Sequence, residues 1–250
     1  MSRIIYEELE PDELLKDFVK RFWKIDNQSE YDKHSTILPD GYFDLILKTS
    51  DRKLYTLVLT GLYTKEVEVI IPGNSSFFGI SFQPLASEYL FYRTIADILD
   101  SRVILDAEFW NIDKMPINSL REWKIYASEI MAVKVTSKTV DSRKQKLFNL
   151  LFQAKGSLTV QEISNHLFWN SRQINRYFKS NFGLSLKSYA NILRCKASFK
   201  HLSKGSLYPQ NNFADQAHFI HQIKKHTGST PKVLAKNVND RFIQFSTRVG

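Results

Sequence analysis

The chain changes texture near residue 138, and that change constrains its fold more than any other feature. Ahead of it come short runs rich in β-branched and aromatic residues, "YFDLILKT", "LYTLVLTG", "KEVEVIIP" and "SFFGISFQP", separated by turn signals at Asp51, Gly61 and Pro72-Gly73-Asn74. Such runs in sequence predict an antiparallel sheet or barrel. Beyond residue 138 the strand texture is replaced by helical spacing, in "SRKQKLFNLLFQAKGSL", "TVQEISNHLF", "SRQINRYFKSNFG", "SLKSYANILRCKASFKHL" and "DQAHFIHQIKKHTG". Charge divides at the same place. Residues 1–138 hold 17 Lys and Arg against 22 Asp and Glu, a net of −5, and residues 139–250 hold 18 against 4, a net of +14.

Helices are also expected within the first half. Pro11 opens "DELLKDFVKRFW", where Leu14, Leu15, Phe18, Val19 and Phe22 share one helical face. Pro84 opens "PLASEYLFYRTIADIL", and Asn118 can cap "SLREWKIYASEIMAV". The terminal stretch "NVNDRFIQFSTRVG" carries no clear periodicity.

A half this basic attracts polyanions, with nucleic acid ahead of an anionic membrane surface. No stretch approaches the roughly 20 apolar residues of a membrane span, and the acidic start "MSRIIYEELEPDELL" lacks signal-peptide character, so a cytoplasmic protein is expected. Cys195 stands alone, which excludes an intrachain disulfide and a Cys-rich zinc module.

The basic half repeats itself. "INRYFKSNFGLSLK" from Ile174 and "FIHQIKKHTGSTPK" from Phe219 align at a constant offset of 45, pairing Ile174 with Phe219, Phe178 with Ile223, Lys179 with Lys224 and Gly183 with Gly228. Each copy is a helix ending in a glycine suited to a left-handed cap. In the first, Asn170 can cap the helix and Ile174, Tyr177 and Phe178 form its inner stripe. Arg172, Asn175, Arg176 and Lys179 then fall on the opposite face. Arg can donate two hydrogen bonds to guanine, Asn can pair with adenine, and Lys can contact phosphate. The preceding "LTVQEISNHLF" supplies the first helix of a helix-turn-helix, whose second helix enters the major groove. In the second copy, with Phe219, Ile220 and Ile223 turned inward, Ala217, His218, His221, Lys224 and Lys225 face outward. His218 and His221 are spaced as possible metal ligands, but no Cys or carboxylate cluster completes a set and His226 lies on another face. Groove contact or a plain helix-surface histidine is the favoured reading, and no metal is expected.

These residues carry a family resemblance. The segment of about 141–234 resembles the AraC/XylS family of transcription regulators, through "QEISNHLFWNSRQINRYFKSNFGLSLKSY", the linker "ILRCKASFKHL", and "NFADQAHFIHQIKKHTGSTPK" with its Phe-x-Asp-Gln-x-His-Phe run from Phe213. "LPDGYFDLI" and "GISFQPLA" are similar to the sensor-like N-terminal domain of one subgroup. The resemblance implies an α+β N-terminal domain over 1–138 and an all-α C-terminal domain over 139–250, with two helix-turn-helix units joined by a long helix. It also implies departures. Phe168 and Asn212 stand where the family has turn glycines, "GSLYPQNN" with Pro209 is shorter than the family's supporting helix, and His221 replaces an Arg found in many members. The second unit would then lack a normal first helix and serve mainly to grip phosphate, while the first dominates base reading.

An enzyme is not expected. In the first half "LPDGYFDL" supplies Asp40 and Asp44, but His34 is the single histidine where a cupin-type metal centre collects several, and Asp40-Gly41 is more simply a turn. No cofactor is implied. Tyr42, Phe43, Phe77, Phe78 and Phe82 are core residues or line an apolar pocket. The expected function is sequence-specific transcription regulation on double-stranded promoter DNA, with the N-terminal domain sensing a small-molecule effector or forming a homodimer, and RNA polymerase a further partner. The alternative is a binding protein whose basic half contacts another polyanion.

Overall fold

The computed structural model describes residues 4–50, 53–115, 118–209 and 213–246. It resolves two compact units. The first comprises Met1–Lys33, Tyr42–Gly61 and Ile70–Asp141, and the second comprises His34–Gly41, Leu62–Val69 and Ser142–Gly250. An antiparallel-sheet region with helices thus precedes a helical region, as expected. The second unit additionally takes two short segments from the first half of the chain.

The first unit is built on a six-stranded sheet of β1 (Ile4–Leu9), β2 (Val19–Asn27), β7 (Ser75–Phe82), β4 (Phe43–Ser50), β5 (Lys53–Thr60) and β8 (Arg102–Leu105), in that spatial order. All five neighbouring pairs run antiparallel. Phe22, Ile80, Leu45 and Leu59 stand opposite one another across four strands and are fully buried. Period-2 alternation places them on one face with Phe43 and Phe82. Phe91 closes over the last two, its ring 5.5 Å from Phe43 and 5.0 Å from Phe82. On the opposite face the Trp23 indole lies across Gly79, where a Cβ would come within 2.1 Å of the ring, so only glycine fits there.

The helix expected after Pro11 does not form. A 3-10 turn at Glu13–Leu15 is followed directly by β2, because Val19, Phe22 and Ile25 are buried as strand residues against the sheet core. Helical spacing and a bulged strand bury overlapping residue sets here, and β2 has a register shift between Val19 and Arg21. The Pro84 segment forms only α1 (Ala86–Tyr89) and a 3-10 turn at Ala96–Ile98. In α2 (Leu120–Thr136) the cap is Ser119, whose side chain accepts from the Glu122 amide, rather than Asn118. Of the five aromatic residues left open between core and pocket, Tyr42, Phe43, Phe78 and Phe82 are buried and Phe77 is half-buried beneath Lys48. The turn expected at Asp51 lies outside the described residues.

In the second unit the helices are α3 (Ser142–Gln153), α4 (Val160–Leu167), α5 (Ser171–Phe182), α6 (Leu186–Leu202), α7 (Gln216–Thr227), α8 (Pro231–Lys236) and α9 (Ile243–Ser246). Phe148, Phe178, Phe182 and Tyr189 form one aromatic cluster, with ring centroids 5.2–6.4 Å apart. A second core joins Cys195, Phe199 and Leu202 of α6 to Phe219 and Ile223 of α7, Leu234 of α8, Phe242 and Leu38.

The segments 34–41 and 62–69 include most of a two-stranded ribbon, β3 (Lys33–Ile37) with β6 (Val67–Ile71). The Tyr189 hydroxyl donates to the Gly41 carbonyl at 2.8 Å. Gln244 makes two hydrogen bonds to the backbone of Leu38, and Arg241 pairs with Glu68 at 2.6 Å. Within the terminal stretch that lacked periodicity, Arg241 and Gln244 are therefore held by partners some 200 residues away in sequence.

Candidate nucleic-acid interface

The first helix pair begins with a capping box. Thr159 Oγ1 accepts from the Glu162 amide at 3.2 Å and Glu162 accepts from the Thr159 amide at 2.7 Å, which holds the Glu162 carboxyl below its usual range. The α4 helix ends at Phe168, in the left-handed conformation (φ 51°, ψ 35°) and 98% exposed. Two residues later Asn170 caps α5, accepting from the Gln173 amide at 2.9 Å. Trp169 packs on Tyr177 with centroids 5.5 Å apart, and Arg143 lies over the Trp169 ring. The link between α4 and α5 is thereby fixed from both ends.

Along α5, Ile174, Tyr177, Phe178 and Phe182 are buried, while Arg172, Arg176 and Lys179 are exposed, as the spacing predicts. Lys179 Nζ reaches the Gly183 carbonyl at 3.1 Å, beyond the helix C-terminus, where the helix dipole favours a cation. Asn175 differs from its expected role. It is half-buried, its amide nitrogen donates to the Ser171 carbonyl at 3.0 Å, and its oxygen accepts from the Leu186 amide at 3.3 Å. Its side chain joins α5 to the start of α6.

The second copy repeats this frame. Both α5 and α7 are 12 residues long, both are capped by an Asx side chain at the N-terminus, and both end in a left-handed glycine, Gly183 or Gly228. Asp215 Oδ1 accepts from the His218 amide at 2.7 Å, and His218 Nδ1 accepts from the Ala214 amide at 3.2 Å. Asp215 and His218 serve the helix end, the carboxylate spent on the cap and the His218 ring on the backbone behind it, while His221 Nδ1 lies 3.4 Å from the Gln222 side-chain nitrogen. Among the described residues no group of three or more His, Cys, Asp or Glu could hold a metal ion. Ala217, His221, Lys224 and Lys225 are exposed and His218 is half-buried. Ile220, which the pattern turns inward, is 37% exposed. His226 faces the core, where burial lowers its pKa.

No helix precedes α7 among the described residues 203–209 and 213–215; Asn212 lies outside them. Support comes from side chains instead. Gln216 donates to the Leu207 carbonyl at 3.0 Å, and Phe213 packs edge-on against Phe219 at 5.0 Å.

Of the four acidic residues in the basic half, Glu162 and Asp215 thus sit at helix N-termini, and the outward residues of α5 and α7 carry no negative charge. Exposed cations at helical spacing can neutralise phosphates, and Arg172 and Arg176 can each offer paired donors to a base edge. Gln173, exposed beside them and missing from the expected set, is engaged through its oxygen with the Asn170 amide at 3.3 Å. Its place next to Arg172 on the α5 pattern was the available signal.

Residues 7–104 match a family described as a domain of unknown function (DUF6597). No curated protein matches the chain. Among solved structures, ToxT from Vibrio cholerae O395 is similar at 12% identity and a TM-score of 0.44, over 95% of this chain and 98% of that one. Unsaturated fatty acid-bound wild-type ToxT from Vibrio cholerae strain SCE256 is similar at 13% identity and a TM-score of 0.44, over 96% of each chain.

Proposed function

We propose that this protein is a sequence-specific, DNA-binding transcription regulator, with residues 139–250 as the DNA-binding domain and residues 1–138 sensing a small molecule or mediating dimerisation. The observation that carries this reading is the duplicated frame of α5 and α7. Two helices of equal length, capped alike and 45 residues apart, each present cations outward from a half-chain of net charge +14. A solvated helix face needs no such duplication. The resemblance of 141–234 to the AraC/XylS pattern agrees with it. In this reading α5 lies in the major groove, Arg172 and Arg176 address bases, and Lys179, Lys224 and Lys225 address phosphates.

Phosphate contact releases counterions, so affinity falls linearly on a log–log plot against salt. Gel-shift titration of the full chain against genomic fragments in rising salt tests the reading. Retention of particular fragments over competitor DNA is expected. Equal binding to heparin and to all fragments would instead indicate a general polyanion-binding protein.

A further inference from the structure

The outward faces of α5 and α7 share a frame but differ in chemistry. At the 45-residue offset Arg172 corresponds to Ala217, Asn175 to Ile220, Arg176 to His221 and Lys179 to Lys224. In α5 the second of these strip positions from the cap is withdrawn, because Asn175 is bonded to Ser171 and Leu186. In α7 the same position presents a partly exposed sec-butyl side chain, with Ile220 37% exposed and Ala217 exposed one turn before it. Two apolar side chains therefore occupy the N-terminal half of a helix face that ends in Lys224 and Lys225 and otherwise carries His221 and the half-buried His218. The exposed part of Ile220 forfeits burial that neighbouring core positions of the same helix obtain, as Phe219 and Ile223 do at 0% exposure.

Resting on the DNA-binding reading above, we infer that α7 reads thymine through the 5-methyl group, with Ala217 and Ile220 as the contacting residues. Among the base edges of the major groove the thymine methyl is the apolar feature, and small apolar side chains are its natural complement. The cations at the C-terminal half of α7 supply the charge complementarity that holds a duplex against this face. His221 stands one residue beyond Ile220, and with Nδ1 facing the Gln222 amide its Nε2 can donate to a neighbouring base. The two helices then divide recognition: α5 addresses guanine through Arg172 and Arg176, and α7 addresses A·T pairs through methyl contact. The second helix contributes sequence preference as well as phosphate grip.

The test uses the full chain and a randomised 30-bp duplex library, from which bound sequences are selected. Positions whose preference survives the double variant Arg172→Ala, Arg176→Ala are assigned to α7. Replacing thymine by uracil at those positions removes only the methyl group. Loss of each contacted methyl should weaken binding about fourfold, the effect of one buried methyl-sized group. Ile220→Ala should remove that sensitivity at the position Ile220 contacts while the Ala217 contact persists, Ile220→Val should retain it in part, and thermal melts of both variants separate loss of methyl contact from loss of fold. Insensitivity of the wild-type chain to uracil, or full sensitivity in Ile220→Ala, would overturn the inference while leaving DNA binding intact. Failure to select any duplex would instead sink the DNA-binding reading itself.

Discussion

His226 donates from Nδ1 to the carbonyl of Thr64 at 2.7 Å, tying the last turn of α7 to the chain just ahead of β6. A carbonyl can only accept, so this bond fixes the proton on Nδ1, and Nε2 is buried with no hydrogen-bond partner. Burial pushes the imidazole below its ordinary value near 6.5. The folded protein holds it neutral where the unfolded chain is already protonated. The linked stability is complete above about pH 6.5 and is lost as pH falls toward the depressed folded value, because the unfolded state then binds the extra proton. His201 is lowered by burial in the same direction. Urea denaturation of His226→Gln between about pH 5 and 8 should therefore show a shallower, not a flat, acid slope. An unchanged slope would mean that His226 is accessible to protons in the folded state.

Asn175→Ala should destabilise the fold without altering which sequences are bound. The substitution leaves the Leu186 amide without its side-chain acceptor, a loss of about 1 kcal/mol. Arg176→Ala should leave the melt in place and relax preference at one or two base pairs, while Lys179→Ala should weaken all duplexes alike and reduce the salt slope by about one. Thermal melts beside binding selection separate the three outcomes, and a changed base preference in Asn175→Ala would return that residue to the reading face.

Phe168→Gly is expected to stabilise the protein. The ring is 98% exposed, so its removal forfeits almost no burial, and the left-handed conformation costs a non-glycine residue about 1 kcal/mol. Equilibrium unfolding measures the gain. A loss of stability would show that the Phe168 ring is covered in solution.

Tyr189→Phe checks the attachment of residues 34–41 to the helical half. The Tyr189 ring is fully buried and its hydroxyl meets the Gly41 carbonyl at 2.8 Å, so the variant should lose about 1–2 kcal/mol. Hydrogen exchange should quicken at residues 34–41 and 62–69, and an unaltered exchange pattern there would show that this bond does not hold the segment.

Much of this organisation was legible in local pattern. The α4, α5, α6 and α7 helices follow from periodicity, with the cap at Asn170 readable in the sequence, and β4 to β7 from β-branched and aromatic runs, because each of these signals acts within a few residues. So were the outward cations of α5 and α7. Elsewhere the deciding contacts are distant in sequence. Val19, Phe22 and Ile25 join a strand because the sheet core buries them there, against the helical spacing of Leu14, Leu15 and Phe18. Asn175 leaves the reading face because the start of α6 arrives beside it, and Ile220 stays outside because Phe219 and Ile223 already fill the contact with α6. Residues 34–41 and 62–69 group with the helices through Tyr189, Gln244, Arg241 and His226, partners that no local window contains. The sequence by itself determined element type, charge division and duplication, which depend on short-range propensity and composition. Tertiary packing alone decided which polar side chains are spent on backbone groups and which remain outward, because buried amides and carbonyls take their partners from whatever the fold brings near.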